Sequence, residues 1–98
     1  MSKILVIVNP DAGRGRARRE WPEIAARMVQ AGIRYEEIIT RSPGEAIAVA
    51  EQASQARSCI VAAGGDGTVH EVVNGLMRAG AKAALGVIPL GSGSGVAK

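Results

Sequence analysis

Four short apolar runs alternate with three amphipathic segments, and within 98 residues this alternation leaves few folds open. Ile4-Leu5-Val6-Ile7-Val8 is continuous and rich in β-branched residues, as expected of a strand buried on both faces. Ile33 to Thr40 reads as a second, more polar strand nearer an edge. Cys59 to Ala62 is the third, and Leu85 to Ile88 the fourth, closed by Pro89. Between them, Trp21, Ile24, Ala25, Met28 and Val29 recur at helical spacing. Pro22 then requires that helix to begin a few residues earlier, so that its ring falls near the first turn, and Gly32 is the stop. Ser42-Pro43-Gly44-Glu45 has the order of a capping box, with Ser as N-cap and Glu at N3, ahead of a helix carrying Ala46, Val49, Ala50 and Ala53. The third stripe is Val69, Val72, Val73, Leu76 and Met77, stopped by Gly80. The order β-α-β-α-β-α-β predicts a three-layer α/β/α domain on a parallel sheet.

Composition narrows the function classes. The net charge is +3, and there is no Phe, one Trp and one Tyr. Nucleic-acid binding is disfavoured, because the basic residues lack aromatic partners on which bases could stack. Cys59 is the one cysteine and lies in an apolar run, where it is expected to be a small core residue; neither a disulfide framework nor a metal-binding cysteine spacing exists. No secretory or membrane-spanning signal is present, and a cytoplasmic location is expected.

In open parallel sheets, ligands bind beyond the carboxyl ends of the strands. Every turn that could bind something follows a strand: Asn9 to Gly15, Thr40 to Ser42, Gly64 to Thr68 and Gly91 to Gly95. The third of these joins a strand to a helix through Gly64-Gly65-Asp66-Gly67-Thr68. Such a turn aims backbone N–H groups, backed by a helix N-terminus, at an anion. Asp66 could orient a magnesium-bound water or a nucleotide hydroxyl, or simply be an N-terminal acid of its helix. Arg14, Arg16, Arg18 and Arg19, behind the first turn, could draw a polyphosphate or acidic headgroup, or form a solvated helix face.

Other motifs fail. Gly13-Arg14-Gly15-Arg16-Ala17-Arg18 has Arg where a dinucleotide-binding turn needs its third glycine. Gly75 to Lys82 imitates a phosphate-binding P-loop but ends a helix instead of following a strand. His70-Glu71 lacks the second His of a zinc helix, so no metal ligand is assigned.

Asn9-Pro10-Asp11-Ala12-Gly13, Gly64 to Leu76 and the segment Leu85 to Gly93 together resemble the diacylglycerol kinase catalytic domain, a family of diacylglycerol, sphingoid-base and bacterial lipid kinases. The resemblance implies an NAD kinase/diacylglycerol kinase-like N-terminal domain that binds ATP with Mg2+. It implies transfer of the γ-phosphate of ATP to a lipid hydroxyl at a membrane surface. The ATP contacts it implies are Asn9, Pro10, Asp11, Ala12 and Gly13; Thr40; Gly64, Gly65, Asp66, Gly67, Thr68, Val69 and His70; and Ser92 in place of the usual Thr. His70 stands where Asn is frequent, and Ser94-Gly95 where the family usually has Asn-Asp.

The resemblance also implies a β-rich lipid-binding domain that carries the catalytic base, so no catalytic residue is assigned here. Residues 1–98 are accordingly expected to be a single ATP-binding domain, a fragment that binds nucleotide without turnover. Its uncovered face could support a homo-oligomer. The tail from Gly91 to Gly95 is expected to be mobile in isolation. The alternatives are an NAD kinase-type domain and a non-catalytic nucleotide-binding module.

Overall fold

The computed structural model describes residues 2–91. The expectations placed on Ser92 and on Ser94-Gly95 lie outside them, as does the tail beyond Gly91. The elements are β1 (Ile4–Val8), α1 (Arg16–Gln30), β2 (Glu36–Ile39), α2 (Glu45–Ala53), β3 (Cys59–Gly64), α3 (Asp66–Arg78) and β4 (Ala84–Pro89). All strand pairs are parallel, in the order β2-β1-β3-β4.

That order accounts for the layers. The chain steps one way from β1 to β2, then reverses across β1 to reach β3 and β4. Right-handed crossovers put helices on opposite faces when the direction reverses. Ala17 and Trp21 of α1 accordingly pack with Val6, Val8, Ala63 and Leu90 on one face. Ala46 and Ala50 of α2, with Val72 and Leu76 of α3, cover Leu5, Ile7, Ile60 and Ala62 on the other. β1 and β3, the two central strands, supply both cores, which is why their runs are apolar throughout. The three-layer α/β/α parallel-sheet architecture is the one the alternation predicts.

Several local details differ from the sequence expectation. Pro22 sits in the second turn of α1, not the first, because the helix starts at Arg16 and continues through it. β2 begins at Glu36 rather than Ile33. Ile33 belongs instead to the helix end, where its N–H bonds the Met28 carbonyl at 3.0 Å and Gly32, at φ +79°, bonds Val29. This is a Schellman termination, and Gly80 and Ala81 repeat it after α3.

The expected capping box is only half formed. Gly44, not Ser42, is the N-cap of α2, at φ +86° with no side-chain cap. Glu45 still reaches back, its Oε1 accepting from Arg41 N–H at 2.6 Å and Ser42 N–H at 3.3 Å. Val29 and Met77 are each 66% exposed, although both lie on apolar stripes. Each sits in the last turn of its helix. Cys59 is half-buried rather than fully enclosed. Leu85 and Val87 of the edge strand β4 are exposed as well.

The other edge strand is held from outside the sheet. Arg57 bonds the Ser2 carbonyl at 2.8 Å and pairs with Glu36 at 2.6 Å. This hydrogen bond with Arg57 lowers the pKa of Glu36 from its ordinary 4.5. Glu36 therefore stays ionised to lower pH in the fold than in the unfolded chain. The pair's contribution is fully present above the ordinary value and is lost as pH falls through the lowered one. Arg57→Met is expected to return Glu36 to the ordinary carboxylate range, read by NMR titration of its carboxyl; an unmoved titration would contradict the pairing.

Candidate functional site

The register brings the carboxyl ends of the strands level. Val8 aligns with Ile39 and Ala63, and Gly64 aligns with Pro89. The ladders then run one residue past the strands. Asn9 N–H bonds the Ala63 carbonyl at 3.0 Å, Thr40 N–H bonds Val8 at 2.9 Å, and Leu90 N–H bonds Gly64 at 3.0 Å. The turns after β1, β2 and β3 thus open side by side at the point where the strand order reverses, between β1 and its neighbours.

A cavity of about 380 Å3 lies among these three turns. The first contributes Asn9, Asp11, Ala12 and Gly13. The second contributes Thr40, Arg41, Ser42 and Pro43. The third, with its helix, contributes Gly65, Gly67, Thr68 and Glu71. Its size is within the range of small-molecule sites, roughly 300–1,000 Å3.

Asn9 organises the junction. Its Nδ2 donates to Thr68 Oγ1 at 3.2 Å, and its Oδ1 accepts from Asp11 N–H at 3.0 Å, which shapes the turn after β1. Thr68 is buried against Gly64, where an added Cβ would collide with the hydroxyl and stand 2.7 Å from Thr68 Cβ. A residue with a side chain at 64 would push α3 off the strand end and break the bond to Asn9. Thr40 is also buried, its hydroxyl donating to the Val8 carbonyl at 3.2 Å.

Not every residue singled out in the sequence lines this cavity. Gly64, Asp66 and Val69 line a second depression of about 280 Å3, beside Gly13, Gly65 and Gly91. Asp66 opens α3 but makes no side-chain cap. Pro10 faces a third, of about 480 Å3, on the Trp21 side of the first turn. His70 is exposed and lines none of these three. Among the arginines, Arg18 pairs with Asp11 at 2.9 Å, while Arg14, Arg16 and Arg19 flank a separate depression beyond Gly13.

Two backbone segments meet at the rim. Gly13 (φ +65°) and Gly91 (φ +78°) abut, and a Cβ on Gly13 would collide with the Gly91 carbonyl. Gly91 N–H is also held by Glu20 Oε1 at 2.6 Å. The first turn and the segment leaving β4 are therefore fitted to one another.

Arg41 and Ser42 lie in the turn Thr40 to Ser42 that the sequence marks as able to bind, whereas Pro43, Ala46 and Glu71 were not singled out as lining residues. For Glu71 a signal was available. It lies three and four residues after Thr68 and Gly67, and so on the same helix face. Among the described residues, no group of three or more His, Cys, Asp or Glu side chains is placed to hold a metal ion, and no helix is long and apolar enough to cross a membrane.

Comparison with known proteins agrees with this architecture. The diacylglycerol kinase catalytic domain profile matches residues 3–98. Diacylglycerol kinases from strains of Staphylococcus aureus are 38% identical over 88 residues, covering 89% of this chain and 28% of theirs. The crystal structure of a diacylglycerol kinase from Bacillus anthracis superimposes with a TM-score of 0.78 at 32% identity, over 93% of this chain and 34% of that one. The chain thus spans about a third or less of the length of these relatives. With the motifs of all three turns inside the matched residues, the chain belongs to the diacylglycerol kinase catalytic domain family.

Proposed function

We propose that this chain is the ATP-binding part of a lipid kinase that moves the γ-phosphate of ATP to a lipid hydroxyl. The observation that carries this is the convergence of three strand-end turns on one cavity, with the backbones of Gly13, Gly65 and Gly67 exposed in its wall. Phosphoryl transfer asks the protein mainly to position phosphates and balance their charge. Glycine backbone lets N–H groups approach phosphate oxygens, and the N-terminus of α3 adds its dipole. Mg2+ would arrive on the phosphates, since the described residues offer no ligand cluster of their own; bound there, it would neutralise charge between phosphate oxygens.

The lipid, its membrane surface and a general base belong to the longer protein that the relatives represent. Nucleotide binding is assigned to these 98 residues, and turnover to that longer protein. A cytoplasmic site of action fits a soluble ATP donor.

The test is calorimetric titration of the 98-residue chain with Mg-ATP and with NAD, followed by a lipid phosphorylation assay. Binding of ATP but not NAD, without measurable lipid phosphorylation, is expected. No ATP binding, or NAD binding in its place, would overturn the assignment.

A further inference from the structure

One carboxylate acts on the rim of the three-turn cavity without lining it. Glu20 lies one turn into α1 and is half-buried. It makes no ion pair among the described residues, although its helix carries several arginines. Its Oε1 accepts instead from the Gly91 N–H at 2.6 Å, 71 residues away. With an ionised acceptor, such a bond is roughly twice as strong as a neutral one.

Gly91 in turn packs on the first turn. Gly13 (φ +65°) and Gly91 (φ +78°) are both left-handed. A Cβ on Gly91 would stand 2.5 Å from the Ala12 carbonyl oxygen and 2.7 Å from Gly13 N. The same Ala12 and Gly13 are also tied to α1. Ala17 N–H bonds the Ala12 carbonyl at 3.2 Å, and Arg16 N–H bonds that of Gly13 at 3.3 Å. These contacts close a ring: α1 to the Ala12–Gly13 backbone, that backbone to Gly91, and Gly91 through Glu20 back to α1. Glu20 supplies its one side-chain link. Ala12 and Gly13 line the cavity, so the ring fixes a stretch of its wall.

Resting on the nucleotide reading above, we propose that Glu20 is a positioning residue: by clamping the Gly91 N–H it holds the Ala12–Gly13 backbone in place for the phosphates, and so raises ATP affinity without touching the nucleotide. A wall already held needs no ordering when the ligand arrives. The sign of the effect separates this role from simple electrostatics. A carboxylate near a polyanion site repels the ligand, so on charge alone its removal tightens binding. As a clamp, its removal weakens binding.

The experiment titrates the 98-residue chain and three variants with Mg-ATP. Glu20→Ala removes charge and reach together. Glu20→Asp keeps the charge but is one methylene shorter. Glu20→Gln keeps the length and an acceptor oxygen without the charge. E20A and E20D are each expected to bind ATP about tenfold more weakly, the equivalent of ordering one residue's backbone on binding. E20Q, which retains a neutral bond to Gly91, should stay within about threefold of wild type. The Gly91 amide proton gives a second readout that needs no nucleotide. It is expected far downfield in wild type and shifted upfield in E20A and E20D.

Tighter ATP binding by E20A and E20Q, or an unaltered E20D, would mean that charge and not reach matters, and overturns the proposal. A lowered melting temperature in E20A with unchanged ATP affinity would make Glu20 a contact of the fold alone, and overturns it equally. Should E20A fail to fold, E20D against E20Q decides, and equal affinities count against the clamp. All these outcomes leave the nucleotide site standing. A wild type that binds no ATP overturns the nucleotide reading itself, and this proposal with it.

Discussion

Replacing Gly75 with alanine is expected to destabilise the chain by about 2 kcal/mol, although helix propensity alone predicts a gain of about 1 kcal/mol. Gly75 lies inside α3 and is buried on its seam with α2. A Cβ there would press into the Ile47 carbonyl, with Ala50 Cβ at 2.7 Å and Glu51 N at 2.9 Å. Two of these three neighbours are backbone atoms of α2, which cannot rotate away as a flexible side chain could. The helices would have to separate, opening the layer that covers Leu5, Ile7 and Ile60. Overpacking of this kind costs about 1–3 kcal/mol and outweighs the propensity term. For a domain of this size the melting temperature should drop by roughly 10 °C. A thermal scan showing G75A as stable as wild type, or more so, would mean that α2 and α3 are not in backbone contact at this point.

Gly67→Ala is expected to do the opposite: leave the fold intact and weaken ATP binding about tenfold or more. Gly67 is the second residue of α3, with nothing within 4 Å of where its Cβ would stand. Stability should be unchanged or slightly raised, since alanine favours the helix. The open space beside it is the cavity wall itself. A methyl group there holds a phosphate oxygen away from the helix N-terminus and forfeits a charge-assisted hydrogen bond, worth about 1.5–3 kcal/mol. A melting curve and an ATP titration on one preparation check both halves. Unaltered affinity would show that phosphate does not approach this turn, and would count against the proposed orientation of the nucleotide. Together the two variants distinguish a glycine required by packing from one required by a ligand, which no inspection of the sequence can do.

The helix stops at Gly32 and Gly80 were legible because a left-handed terminal residue is nearly a glycine prerogative. The edge position of β2 was legible from Glu36 and Glu37, which a central strand could not bury. Less was visible where two signals compete. Ser42-Pro43-Gly44-Glu45 satisfies the capping-box order, yet Gly44 takes the cap because the chain must turn sharply out of the β2 end, leaving only the Glu45 half of the box. Pro22 was expected near a helix start, but the boundary was decided by Ala17 and Trp21 packing on the sheet, which extends α1 a full turn ahead of the proline. Val29 and Met77 show the limit of periodicity. A stripe marks which face of a helix is apolar, not how far along that face a partner extends.

The candidate site divides in the same way. The turns Asn9 to Gly15, Thr40 to Ser42 and Gly64 to Thr68 could be marked as candidate binding turns because each follows a strand in the chain; the individual contacts within them came from the family resemblance. That Asn9 would bond Thr68, 59 residues away, could not be foreseen, nor that Gly44 would hold Glu71.

By itself, the sequence determined the element order, the parallel sheet and the placement of every candidate turn after a strand, because these depend on local periodicity and backbone preference. Only the tertiary structure decided which of those turns share a cavity, which glycine makes room for a neighbouring backbone, and that Glu71 faces the site. Those outcomes depend on strand register and helix-to-helix distance, quantities that arise only when segments distant in the chain are packed together.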